Sequence, residues 1–161
     1  TFTGKILEAD VRVGLETQRK VETGSRNPIT CLQSRPDSFY LYAVSAESGN
    51  FFCVDKRKME VVQQCSKFRH CMSIDFDSET LVASWKNGTV KYLNPQTLET
   101  EYTWNCPAPS EMRSVNPLRL SKGAFIYGNS YELLIYTPGR NPKLLGKFPT
   151  NEMIISVSEF K

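Results

Sequence analysis

The chain has 161 residues, 40% of them apolar and 23% charged, with 20 Lys and Arg against 17 Asp and Glu for a net charge of +3. That length and apolar content suffice for a sizeable core and exclude a mainly disordered chain, while so slight a positive balance does not by itself point to nucleic acid, whose recognition gathers basic residues on one face. No apolar stretch approaches the roughly 18 residues of a membrane span, and no part reads as a basic-start, apolar-middle signal peptide.

In chain order the predicted elements are short strands punctuated by turn formers. Ile6 to Ala9 and Gln18 to Val21 come first. Ile29 to Ser34 follows, then the turn Arg35-Pro36-Asp37-Ser38 and the strand Phe39 to Ser45. Gly49-Asn50 reads as a tight hairpin turn into Phe51 to Val54, with Val61 to Gln64 after it. The same series returns as Met72 to Phe76, Thr80 to Trp85, the turn Asn87-Gly88, Val90 to Leu93 and Thr100 to Trp104. It returns again as Val115 to Leu120, Ala124 to Gly128, Asn129-Ser130, Leu133 to Ile135 and Leu144 to Phe148, and Ile154 to Val157 opens a further round.

Aligning Gly4, Gly49, Gly88 and Ser130 makes the repeat explicit, with intervals of 45, 39 and 42 residues. Each anchor leads into an apolar strand, and six residues on stand Asp10, Asp55, Asn94 and Tyr136. The strands are rich in β-branched and aromatic residues, and no helical periodicity persists beyond about two turns. The expected fold class is therefore all-β, and the period is that of a propeller blade of four antiparallel strands.

Three complete units, about 28–66, 70–106 and 113–150, are similar to WD40 repeats. In that family a Gly-His pair precedes the first strand and a Trp-Asp pair ends the third. Here Asp stands in Ala9-Asp10 and Val54-Asp55, Asn in Leu93-Asn94, and no Trp precedes any of them. The single histidine, His70, lies just before a first strand in Arg69-His70-Cys71. A partial blade at 1–24 and the first strand of a further blade at 151–161 bring the total to about four blades' worth. The resemblance implies a larger ring, because closure is what removes exposed sheet edges. The expectation is a segment of a longer protein, its remaining blades supplied in cis or by another chain.

The chemistry of the sequence points away from catalysis. One histidine and no Gly-x-Ser-x-Gly leave a serine hydrolase without its parts, and no phosphate-cradling glycine motif is present. Asp37, Glu47, Asp75 and Asp77 read as acids at turns. The five cysteines (Cys31, Cys53, Cys65, Cys71, Cys106) lack the paired short spacing of a zinc site, even with His70 counted among the ligands. They read as reduced, buried thiols of an intracellular protein, cytoplasmic or nuclear. No enzyme activity, cofactor or metal is expected.

A binding surface remains. In WD40-like blades the loop before the first strand and the loop between the second and third strands share one face. Those loops would carry Arg26, Phe68, Arg69, Trp85, Lys86, Arg113 and Tyr127. Aromatic and Arg side chains dominate interface energetics, and a ring of basic residues around them suits a protein or peptide partner that is acidic or phosphorylated. Two alternatives stand beside this reading: a purely architectural segment, and an RNA-binding propeller, which the near-balanced charge disfavours. Trp104, on an outermost strand, is assigned either to covering a blade edge or to a lateral contact.

Overall fold

The computed structural model describes residues 3–10, 12, 17–35, 37–77, 80–106, 118–119, 125–128, 132–137 and 139–149. Among these there are fourteen strands and no helix, hence no helix long and apolar enough to cross a membrane. Strands β1 (Lys5–Ala9) and β2 (Thr17–Glu22) form an antiparallel pair. The first full sheet is a meander of β3 (Cys31–Ser34), β4 (Tyr40–Ser45), β5 (Asn50–Asp55) and β6 (Glu60–Cys65). The second comprises β7 (Cys71–Asp77), β8 (Thr80–Trp85), β9 (Thr89–Leu93) and β10 (Thr100–Asn105), in the same order. The third comprises β11 (Leu118–Arg119), β12 (Phe125–Gly128), β13 (Glu132–Tyr136) and β14 (Leu144–Pro149).

Each expected strand within the described residues is present, with ends shifted by a residue or two. β3 starts at Cys31 and not at Ile29, although the Thr30 N–H already donates to the Val44 carbonyl at 2.8 Å. Of the expected strand Val115 to Leu120 only Leu118–Arg119, β11, falls within the described residues, and the expected strand at Ile154 to Val157 lies outside them. The chain divides into two compact units, Thr1–Cys71 and Met72–Lys161.

In the first unit the central strand β5 reads Asn-Phe-Phe-Cys-Val-Asp, an apolar run without alternation, and both of its faces are buried. On one face Phe52, Val54 and Ala43 pack with Ile6 and Val21 of the β1–β2 pair. On the other, Phe51 lies 5.9 Å from Tyr42 and stacks on Phe68 at 4.7 Å between ring centroids. Phe51 and Phe52 are fully buried, and each such side chain contributes roughly 1.5–3 kcal/mol. In the second unit Val82, Val90 and Tyr92 pack with Phe125, Leu134 and Tyr136. The Trp104 ring meets Tyr136 edge-on at 4.8 Å, so Trp104 covers the core of its own unit.

Two turn devices recur. The anchor glycines Gly4, Gly49 and Gly88 all have positive φ, and their carbonyls accept the N–H of Thr23, Phe68 and Cys106, the residues that follow β2, β6 and β10. The hairpins are longer than two-residue turns: Gly49 N–H donates to Ser45, four residues back, and Gly88 N–H to Trp85, three back. The left-handed residue is the glycine in both. Asn50 is already in β5, while the Asn87 Oδ1 accepts the Thr89 N–H. The second device sits after the third strand. Asp10, Asp55 and Asn94 each accept, through Oδ1, the N–H two residues on, at 2.9 Å in all three.

Candidate partner-binding face

The loop end of the first sheet is built from backbone. Phe68 N–H donates to the Gly49 carbonyl at 2.8 Å and His70 N–H to the Ala46 carbonyl at 2.9 Å, joining the β4–β5 turn to the segment after β6. A β-turn from Phe68 to Cys71 places His70 at φ 62°, a left-handed conformation that His tolerates better than most residues. A Cβ on Gly49 would stand 2.7 Å from the Arg69 nitrogen, so this position requires glycine for space as well as for its φ of 75°. Thr30 adds a third tie, its hydroxyl donating to the Val44 carbonyl and accepting the Ala46 N–H.

Onto this frame the sequence places its cations. Arg26 is exposed on a turn closed by Ser25, whose hydroxyl accepts the Asn27 N–H and donates to the Asn27 carbonyl. Lys67, Arg69 and His70 are exposed after β6, and Glu47 is exposed on the β4–β5 turn. Phe68 departs from the expectation: it is 2% exposed and stacked on Phe51, so it anchors the loop from beneath and cannot meet a partner. The sequence places this aromatic between two cations on the expected binding face; its side chain is large enough that burial under the turn wins.

In the second unit Trp85 and Lys86 open the β8–β9 turn. Lys86 is exposed, whereas the half-buried Trp85 ring lies under the Lys91 ammonium, 4.9 Å from its centroid. Tyr127 lies in β12, opposite Leu134, but its side chain and the whole of Arg113 are outside the described residues.

All five cysteines are free, Cys53 and Cys71 buried and the rest half-buried. Burial pushes the Cys53 thiol up to about 11, away from the nucleophilic thiolate, and the neighbouring Tyr42 hydroxyl up to about 12. Asp75 is half-buried within β7, and not at a turn, its Oδ1 accepting the Phe76 N–H.

Sequence inspection missed an arginine two residues after two of the repeat carboxylates. Asp10 and Asp55 are each gripped by a guanidinium fork, from Arg12 and Arg57, with Nη2···Oδ2 distances of 2.6 and 2.7 Å. These hydrogen bonds hold both carboxyls below the usual range. The signal was present as Asp-x-Arg at the same place in two repeats.

No family model and no curated protein matches the chain by sequence. Solved structures match it by fold. A chain in the crystal structure of the mitotic checkpoint complex matches with a TM-score of 0.75 at 12% identity, over 96% of this chain and 49% of that one. The computationally designed Ika8 protein matches with a TM-score of 0.61 at 16% identity, over 86% of this chain and 42% of that one. This chain thus spans just under half the length of each. At such identities the likeness establishes fold, a propeller-like all-β architecture of about four blades.

Proposed function

We propose that this chain is a WD40-like, non-catalytic interaction segment that binds a protein or peptide on the loop end of its sheets. Its partner is acidic or phosphorylated, its setting intracellular, and the remaining blades come from the same chain or another. The observation that carries this reading is the pair Arg26 and Arg69, both exposed at one end of one sheet on backbone fixed by hydrogen bonds. Side chains presented on an ordered frame lose less entropy on binding than those on a loose loop, and Arg forks onto carboxylate or phosphate. Lys67 strengthens the same end, and Lys86 offers a comparable charge in the second unit. Arg113 and Tyr127 belong to the proposed set from sequence position alone.

The test is affinity capture with the whole chain as bait, comparing wild type with Arg26→Glu/Arg69→Glu and identifying bound proteins by mass spectrometry. A partner lost from the variant alone supports the loop end as the recognition surface. Identical partner lists would overturn it in favour of an architectural segment, and capture abolished by ribonuclease would favour RNA.

A further inference from the structure

The β8–β9 turn carries a chemistry that the loop-end reading does not use. Asn87 is exposed and is followed by Gly88. The Asn87 Oδ1 accepts the Thr89 N–H at 3.1 Å, a bond that folds the carboxamide forward over the Gly88 nitrogen. The same bond draws electron density from the carboxamide carbon Cγ, as a donor does wherever an oxygen is to gain charge. Gly88 has no Cβ to hinder approach of its nitrogen to that carbon. Its N–H donates to the Trp85 carbonyl at 2.9 Å, and its carbonyl accepts the Cys106 N–H at 3.0 Å. The nitrogen is therefore released only when this end of the hairpin opens, and exposed turns open at the low end of a protein's free-energy range.

The other asparagines show what singles Asn87 out. Asn94 is folded the same way, its Oδ1 accepting the Gln96 and Thr97 N–H groups at 2.9 and 3.1 Å. The next residue, however, is Pro95, whose nitrogen has no proton to lose. Asn27, Asn116 and Asn141 also precede proline. Asn50 is half-buried within β5 and is followed by the fully buried Phe51. Asn105 directs its carboxamide across the ladder, where Oδ1 accepts the Thr89 hydroxyl at 3.1 Å. Asp10 and Asp55 share the forward fold, but each is a carboxylate gripped by arginine and has no amide to lose. Asn129 and Asn151 lie outside the described residues.

We infer that Asn87 is a site of spontaneous deamidation, which places a carboxylate beside Lys86. The Gly88 nitrogen gives up its proton and bonds to Asn87 Cγ, the Cγ–Nδ2 bond breaks, and the amide nitrogen takes a proton and leaves as ammonia. Water then opens the cyclic imide at either carbonyl. Attack on Cγ restores the main chain and leaves aspartate; attack on the main-chain carbonyl leaves isoaspartate, with an extra carbon in the chain. Water is consumed, ammonia is released, and nothing is oxidised or reduced. Aspartate keeps the oxygen that accepts the Thr89 N–H, so only the charge changes. Isoaspartate lengthens the turn between β8 and β9. On the loop-end reading either product weakens the positive charge that Lys86 offers an acidic partner, but the reaction itself does not depend on that reading.

The test is peptide mapping, with electron-transfer fragmentation to tell isoaspartate from aspartate. The whole chain is kept folded in mildly alkaline buffer at body temperature, beside a synthetic peptide of residues 84–91. Asn87 should convert in the folded chain about ten- to a hundredfold more slowly than in the peptide, the factor by which the hairpin stays closed. Asn50, Asn94 and Asn105 should stay intact over the same period. Asn87→Gln should abolish the conversion, and Pro95→Gly should bring it to Asn94. An Asn87 that converts only in denaturant, faster conversion at Asn50 or Asn105, or an Asn94 unchanged in folded Pro95→Gly would each overturn the inference.

Discussion

The two ends of the first full sheet are held together differently. At the loop end, turn meets turn through main-chain hydrogen bonds, from Phe68 to Gly49 and from His70 to Ala46, with the Thr30 hydroxyl as a further tie, and the exposed cations Arg26 and Arg69 take no part in the frame. At the other end the turns are held by side chains as well: Asp55 and Arg57 fork together, Lys56 reaches Ser34, and Arg57 covers Phe39. The difference teaches which end can change its surface without changing its shape. The loop end is expected to keep its geometry when Arg26 or Arg69 is replaced, because its bonds run through other groups. At the opposite end Asp55, Lys56 and Arg57 are themselves part of the frame, so replacing them removes bonds that hold the turns.

This contrast can be broken in several ways. The largest effect should come from beneath the loop end. Phe68→Ala removes a buried ring stacked on Phe51 and should cost about 3–5 kcal/mol, read by urea unfolding. Gly49→Ala meets both a positive φ and the Arg69 backbone, and should cost roughly 2–4 kcal/mol. Gly24, at φ 74° with open space where a methyl group would stand, separates the two causes: Gly24→Ala should cost only the strain, about 1–2 kcal/mol.

At the opposite end the prediction concerns acid. The Asp55 carboxyl is held below its ordinary range chiefly by the Arg57 hydrogen bond. Its stabilising contribution is therefore complete above the unfolded-state value and is lost as pH falls through the folded one. Thermal midpoints of Asp55→Asn should fall less on acidification than those of wild type, while Asn at this place still accepts the turn N–H, as Asn94 does. A parallel acid profile for the two proteins would contradict the fork's role. The smallest effect is expected for Arg26→Glu/Arg69→Glu, whose unfolding free energy should stay within about 0.5 kcal/mol of wild type. A larger loss would mean these side chains belong to the frame after all.

Much of the fold was legible because the strand pattern and the anchor spacing agree. Gly49 and Gly88 could be placed at turns because left-handed backbone favours glycine, and the positive φ at both follows. The turn lengths were not legible, since Ser45 and Trp85 as acceptors depend on where the ladder stops. Of the candidate face, Arg26, Arg69 and Lys86 are exposed. Phe68 was misassigned because sequence shows a loop aromatic without showing the Phe51 ring beneath it. The Phe39–Arg57 stacking was hidden for the same reason: its partners are 18 residues apart and meet only when two turns close at one sheet end.

The most direct test of the loop-end reading is amide hydrogen exchange of the whole chain, alone and with its captured partner. The account predicts added protection in segments 23–27 and 66–70, the turns that carry Arg26 and Arg69, and in 46–49, which is bonded to the latter. Protection that leaves these segments unchanged would contradict it.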